Sequence, residues 1–560
     1  MSTVFTILSR VHNNLMANRK KTSSSNLTSY STELFLDPTK NLLDDIERIY
    51  KGGVYSFGRA IKSPSNLSRP NTAAIVGVAL GDEGKGRIVD NTIEEYLENK
   101  SIRKVVVVRY QGGNNAGHTI EKGKIKLALH VVPSFVLHTK AFGVIDRGTV
   151  IHPEDLVTEV AYIEEAVGNI SERLLLSQDA ILNTDLLRAE EMKNRIVEGK
   201  AAGGTGRGIS PSYAHHIDRL GLTIRDLLAP DFKEVLGKQY DRYVKEFACF
   251  DIDLSKDIDV PDFVSTVELK KSQTRKVGNK KIFLERLATA REWILQRRIL
   301  GDTFSFHKKN YEDISVAYVF EGAQAAGLDS WLGTRPDVTA SNTRVDGVKE
   351  GTAFFMAQDI KDRIGIFKIP YTSSVGARRM PTHVELPGSS ESQKLKIKSQ
   401  NDKDPSPKAQ NDNRLTEDQE WALWVREEAH EYGTTTGRPR DITFLDLEFL
   451  RYNARMSGVN AFIGTHLDTA LDTQQIKVCT HYTDKSGKTI PYQPGLHYQK
   501  DVIPQYVALP GWDGMACQSA KNKEELPIHA QKFLAFIEAR TGYPIVAVTT
   551  GPKREHYLKL

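Results

Sequence analysis

The first residues with the types and spacing for chemistry are Gly81-Asp82-Glu83-Gly84-Lys85-Gly86. Three glycines let backbone N–H groups turn toward an anion. A helix starting here would add partial positive charge, and Lys85 can bridge phosphate oxygens. This is not a Walker A loop, which would need glycine in place of Ala79 and a hydroxyl residue in place of Gly86. Asp82 is the informative residue. A carboxylate in an anion loop repels phosphate unless a Mg²⁺ lies between them, or unless the carboxylate takes a proton. Taken alone, the hexamer is equally well a tight turn.

Four further segments carry chemistry of their own. Gln111-Gly112-Gly113-Asn114-Asn115-Ala116-Gly117-His118-Thr119 offers an imidazole that, placed opposite Asp82, would make an acid–base couple; by itself His118 is a solvated loop histidine. Gly203–Pro211 with Arg219 offers backbone donors, a hydroxyl and guanidinium forks suited to a phosphate monoester, or else a flexible loop with surface arginines. Thr434–Arg440 sets two arginines among hydroxyls, which suits carboxylate capture, or is a basic turn. Thr465-His466-Leu467-Asp468 ends an apolar run. A carboxylate there can accept two hydrogen bonds from the guanine N1–H and N2–H₂ edge, although a helix cap is the ordinary use of such an aspartate.

These loops need elements to hold them. Ala73–Leu80 is a short apolar run that predicts a buried strand. Ile88, Val89, Ile93, Tyr96 and Leu97 then share one helical face, and Lys104–Val108 predicts a second buried strand. Strand, glycine loop, helix and strand form a βαβ unit, so the class is α/β with a mainly parallel sheet. In such a sheet both loops lie at C-terminal strand edges, where ligands bind. Residues 230–300 read as largely helical. Strands are expected at Val316–Phe320, Ile364–Ile369 and Pro544–Val548. Residues 1–70 read as an N-terminal extension with one short helix near Leu42–Tyr50, and residues 71–560 as one catalytic domain. The polar stretch 389–414 reads as a mobile loop insertion.

The chain has 560 residues, 39% hydrophobic and 26% charged, an ordinary globular composition with room for a large core. Three cysteines exclude a disulfide scaffold and a Cys-rich zinc site, and suit a reducing compartment. The expected location is cytoplasmic; the alternative is an organelle, because the first 35 residues are basic, Ser-rich and nearly free of acids. A net charge of +5 gives no argument for nucleic acid, and no apolar run approaches the ~20 residues of a membrane span. Neither nucleic acid nor membrane is an expected partner.

Together the segments resemble the adenylosuccinate synthetase family. Its ordered motifs appear as GDEGKG (81–86), QGGNNAGHT (111–119), GGTGRGISPSY (203–213) with Arg219, EGAQ (321–324), GTRPDVTASN (333–342), YTSSVG (371–376), YGTTTGRPR (432–440), THLD (465–468) and TTGPKR (549–554). The resemblance implies a large, mainly parallel central sheet flanked by helices, a P-loop-like GTP-binding architecture with helical insertions. It also implies GTP-driven condensation of IMP with L-aspartate through a 6-phosphoryl-IMP intermediate, with Mg²⁺ as cofactor. Asp82 would take the N1 proton of IMP and ligate the metal together with Gly117. Lys85 would contact the GTP phosphates, and His118 would donate to the transferring group; Gln324 completes the catalytic set.

By the same resemblance GTP meets Gly81, Glu83, Gly84, Lys85, Gly86, His466, Asp468, Thr549 and Gly551. IMP meets Asp82, Asn115, Ala116, Gly117, His118, Thr205, Gln324, Thr339 and Arg438. Arg219 reaches IMP from the other subunit of a homodimer. Aspartate meets Thr435, Thr436, Arg438 and Arg440. The chain departs from the family pattern at Ala79-Leu80, Gly204, Arg335, Asp337, Ser374, His466 and Asp441-Ile442-Thr443. His466 replaces the lysine that stacks on guanine. The alternatives are therefore an aspartate ligase acting on GMP or dGMP, with GTP or ATP as donor, or a nucleotide-binding regulatory protein without turnover.

Overall fold

The structure, a computed structural model, describes residues 68–198, 204–262, 273–374, 380–386, 415–432, 439–495 and 501–560. The expectations for residues 1–67 and for the 389–414 insertion lie outside the described residues. So do Thr435, Thr436 and Arg438.

Ten strands form the central sheet: β1 (Arg69–Gly77), β2 (Lys104–Arg109), β3 (Ala141–Ile145), β4 (Leu174–Ser177), β5 (Leu300–Gly301), β6 (Val316–Ala325), β7 (Ile360–Lys368), β8 (Ala461–Thr465), β9 (Ile545–Thr549) and β10 (Tyr557–Lys559). Their spatial order is β5-β4-β3-β2-β6-β1-β7-β8-β9-β10. Every neighbouring pair is parallel except β9–β10. Strands covered on both faces need no alternation of apolar and polar residues. That is why β2 reads Val105-Val106-Val107-Val108, each with no exposed surface.

The predicted βαβ unit is present. After Gly77 the chain leaves the sheet, and the loop is braced by its own carboxylate. Glu83 Oε1 accepts the N–H of Gly81 at 2.8 Å and of Ala79 at 3.3 Å. The strand therefore ends three residues before the apolar run does. Helix α1 (Lys85–Glu98) follows, opened by Gly84 in a left-handed conformation, φ 88°. It buries Ile88, Val89 and Ile93 completely against the sheet. Each such side chain contributes about 1.5–3 kcal/mol relative to exposure, so a polar residue at any of them would loosen the helix that follows the phosphate loop.

Between β3 and β6 the chain adds helices α2 (Pro153–Val167), α3 (Asp185–Glu198), α4 (Ile209–Ile217), α5 (Phe232–Ala248) and α6 (Lys280–Arg297). The expectation of a largely helical 230–300 stretch holds for α5 and α6. Between them lies a short antiparallel pair, Asp259–Pro261 with Thr274–Lys276. A proline and β-branched residues there break the 3.6-residue pattern. A second sheet begins with Tyr371–Ser374 and Asp441–Asp446, paired antiparallel, and brings Arg440 to the central sheet's C-terminal edge. The described residues belong to one unit, Phe57–Leu560. Among them no helix is long and apolar enough to cross a membrane.

Candidate active site

The loop after β1 and the loop after β2 meet. A Cβ on Gly86 would lie 2.8 Å from the His118 Cβ, so glycine is required for this approach. Between and around the two loops lies a cavity of about 470 Å³. Gly81, Asp82, Gly84, Lys85 and Gly86 line it from the first loop, and Asn115, Ala116, Gly117 and His118 from the second. Thr205, Gln324, Thr339 and Arg440 complete the predicted residues on its wall.

The two neighbouring asparagines divide the work. Asn114 is buried and donates to Asp155, a carboxylate that also holds Arg188. Asn115 lines the cavity, and its buried Oδ1 has no hydrogen-bond partner among the described residues; the same is true of Gln324 Nε2. Orphaned polar atoms on a cavity wall are costly in a folded protein unless a ligand satisfies them.

Lys85 is held by Glu83, Nζ to Oε2 at 2.6 Å, with both side chains at most 3% exposed. The family resemblance places Glu83 among the nucleotide contacts. In the structure its carboxylate is closed off from the cavity, serving Lys85 and the turn. Asp82 is the opposite case. Its side chain is 39% exposed, and Oδ2 lies 2.6 Å from Arg440 Nη2. Arg440 is only 8% exposed and also holds Glu431, so the Asp82 arm of this pair can be given up to an incoming ligand without leaving the guanidinium unpaired.

Two positioning carboxylates escaped the sequence reading. Glu321, the first residue of the EGAQ segment, is fully buried in the second half of β6. It contacts His118 Nδ1, accepts the Ser134 N–H at 2.8 Å and Oγ–H at 2.7 Å, and lies 3.6 Å from Arg109. Burial would raise the Glu321 pKa, but His118 and Arg109 hold it at about 2. Burial pushes the His118 pKa down, as do Arg109 and Lys85, while Glu321 opposes them. With Nδ1 occupied by Glu321 and, at 3.1 Å, by Arg109 Nη1, the Nε2 edge of His118 is left for a ligand.

The second is Glu431, which takes Arg440 Nη1 at 2.6 Å, Tyr371 Oη at 2.5 Å and Ser373 Oγ at 2.9 Å, and also holds Lys368. It fixes the guanidinium whose other arm meets Asp82. The sequence signals were adjacency alone: Glu431 directly precedes the YGTTTGRPR segment, and Glu321 opens EGAQ.

The residues expected around guanine do not line this cavity. His466 and Asp468 follow β8, and Thr549 ends β9, two and three strands from β1. They adjoin the phosphate loop from the other side: a Cβ on Gly84 would lie 3.7 Å from Thr465 Cγ2. Residues 467–469 form a turn rather than a helix start, so Asp468 caps nothing. Burial lowers the His466 pKa to about 3, so its ring is neutral at physiological pH. The N–H of His466 donates to Thr549 Oγ1 at 3.1 Å, tying these two segments together. Arg219 lies away from the cavity, exposed after α4.

Backbone strain marks the same residues. Among the described residues nine non-glycine residues have positive φ, and four are Asp82 (57°), Arg219 (68°), Gln324 (55°) and His466 (62°). Such conformations cost of order 1–3 kcal/mol each and persist where surrounding structure over-determines them.

Asp82 and Gly117 line the same cavity. One open carboxylate plus a carbonyl is an all-oxygen donor set of the kind Mg²⁺ shares with substrate phosphates, so the residues fit that ion.

The sequence model of the family described as adenylosuccinate synthetase matches residues 74–558. A protein named adenylosuccinate synthetase from Clostridium botulinum (strain Eklund 17B / Type B) is 32% identical over 492 residues, covering 87% of this chain and 98% of its own. One of the same name from Aquifex aeolicus is 34% identical over 497 residues, covering 87% and 96%. Among solved structures, a fully ligated adenylosuccinate synthetase from Plasmodium falciparum superposes with a TM-score of 0.69 at 28% identity, covering 88% of this chain and all of that one.

Proposed function

Since this chain belongs to the adenylosuccinate synthetase family of ligases, we propose that it condenses IMP with L-aspartate at the expense of GTP, giving adenylosuccinate, GDP and phosphate. The observation that carries this reading is the convergence of Asp82, Lys85 and His118 on one cavity beside Arg440.

In this reading the hypoxanthine ring lies between Asp82 and His118. Asp82 takes the N1 proton, which makes O6 nucleophilic toward the γ-phosphorus of GTP. Lys85 and the N–H groups at the start of α1 hold the phosphates as GDP leaves. His118 Nε2 donates to the transferring group. A purine oxide is a poor leaving group. Phosphoryl transfer to O6 provides a better one, and the aspartate amine then attacks C6 and phosphate departs. Arg440, held by Glu431, takes a carboxylate of aspartate, with Thr435, Thr436 and Arg438 as its neighbours by motif. Asn115, Thr205, Gln324 and Thr339 hold the monophosphate substrate. Mg²⁺, held by Asp82 and Gly117, would offset the phosphate charge. Asp468, Thr549 and Gly551 take the guanine, with the neutral His466 ring beside them. The setting is the cytoplasm.

The test is a matrix assay on purified protein. IMP, GMP and dGMP are each offered with GTP or ATP, with and without aspartate, and products are read by mass. Adenylosuccinate from IMP and GTP is the expected result. Consumption of a guanylate but not IMP would move the assignment to an aspartate ligase acting on GMP or dGMP, and phosphate release indifferent to aspartate would end the ligase reading.

The active form is a homodimer. Arg219 is exposed and flanked by Ile217 and Leu220, 80% and 52% exposed, an apolar setting that a second copy would cover. Arg219→Leu is expected to raise KM for IMP about tenfold or more, the scale of losing a charged hydrogen bond, with a smaller effect on kcat. Mixing it with an Asp82→Asn protein should restore part of the activity, since one hybrid site then has both wild-type residues. Absence of complementation would argue for a site made by one chain.

A further inference from the structure

On α1, Arg87, Asp90 and Glu94 are spaced three and four residues apart, so they share one face. That face clasps the loop 549–556 at the other end of the chain. Arg87 Nη1 donates to the Gly551 carbonyl at 2.7 Å; Nη2 donates to the His556 carbonyl at 2.7 Å and also to that of Lys553. Contact runs in the reverse direction as well: Arg554 of the loop reaches Asp90 and, at 2.7 Å, Glu94.

The loop has little freedom left. The Thr550 N–H donates to the His556 carbonyl at 3.0 Å. A Cβ on Gly551 would lie 2.1 Å from His556 Nδ1. Burial lowers the Arg87 pKa to about 10, which still leaves a full cation at neutral pH, and Asp468 acts on the same guanidinium. Nothing in the catalytic scheme uses Arg87. Yet it stands two residues after Lys85, in the first turn of the helix that follows the phosphate loop.

We propose that Arg87 is a positioning residue for the donor nucleotide. It fixes the loop carrying Thr549 and Gly551 at a set distance from the phosphate loop, so that the base and the triphosphate of one purine nucleotide are held together. The proposal rests on the reading that Asp468, Thr549 and Gly551 take the donor's base. A single fork satisfying three carbonyls of one loop sets that loop's shape before any ligand arrives, so binding does not have to bear the ordering cost. Lysine, a point charge without the fork, cannot replace it fully.

The experiment uses the full-length protein with Mg²⁺ and two probes, GTP and inorganic tripolyphosphate, titrated directly, together with KM for GTP and IMP. In Arg87→Ala, GTP affinity is expected to fall about ten- to a hundredfold, the scale of one lost charged hydrogen bond. Tripolyphosphate affinity and KM for IMP should stay within about twofold, because those ligands do not span the two loops. Arg87→Lys should fall between. Equal losses for GTP and tripolyphosphate would overturn the proposal. If the alanine variant fails to fold, wild-type GTP affinity in Arg87→Lys would overturn it. Asp468→Ala separates the two levels of the argument: unchanged GTP affinity there removes the base-site reading itself. Lost affinity there, with both Arg87 variants normal, overturns only the positioning role.

Discussion

Asp82→Asn is expected to lower kcat about a thousandfold while IMP still binds within a few-fold of wild type. The amide is nearly the same size and can still accept a hydrogen bond from Arg440, so the ion pair at 2.6 Å becomes a neutral contact without a cavity. Asp82 is 39% exposed and Arg440 keeps its Glu431 partner, so a stability penalty on the order of 1 kcal/mol should follow. What is lost is the ability to take a proton from N1, and with it the nucleophilicity of O6. Single-turnover measurement of phosphoryl transfer, alongside titration of IMP, separates the two effects. A kcat near that of wild type would remove Asp82 from the role of base.

Glu321→Gln is expected to lower kcat about a hundredfold and to move the alkaline limb of its pH profile to lower pH. The sign follows from the charges around His118. Burial, Arg109 and Lys85 all favour the neutral ring, and the Glu321 carboxylate favours the imidazolium. Removing that negative charge lowers the imidazole pKa, so the protonated donor disappears at a lower pH. Glutamine keeps an acceptor for His118, but its amide must face one of the donors that the carboxylate now satisfies, at a stability cost of about 1–3 kcal/mol. Packing damage alone would lower kcat evenly across pH. An unshifted alkaline limb would therefore mean that Glu321 is only structural.

Much of this site was legible before any coordinates. The strand, loop and helix around 81–86 follow from local rules: an apolar run, glycines, then a 3.6-residue repeat. The structure gives β1, the loop and α1 in that order. Less legible was where the strand stops. Its apolar run continues to Leu80, but Glu83 takes the Ala79 and Gly81 N–H groups, which a sheet neighbour would otherwise have claimed. Glu83 looks like a nucleotide contact in the sequence because it sits in the loop; its side chain turns inward because Lys85 needs a buried counter-charge.

The sequence by itself determined the strand–loop–helix order of the glycine loops and that an α/β sheet carries them, because turn residues, glycines and strand or helix periodicity act over a few neighbouring residues. It also carried the motif order on which family membership rests. Only the tertiary structure decided which side chains stand behind the reacting ones. Glu321 reaches His118 across 203 positions, and Arg87 meets the Gly551 carbonyl across 464. Buried charges take whichever partner the packed sheet brings within reach, and strand order, which brings these distant segments together, is not written in any local pattern.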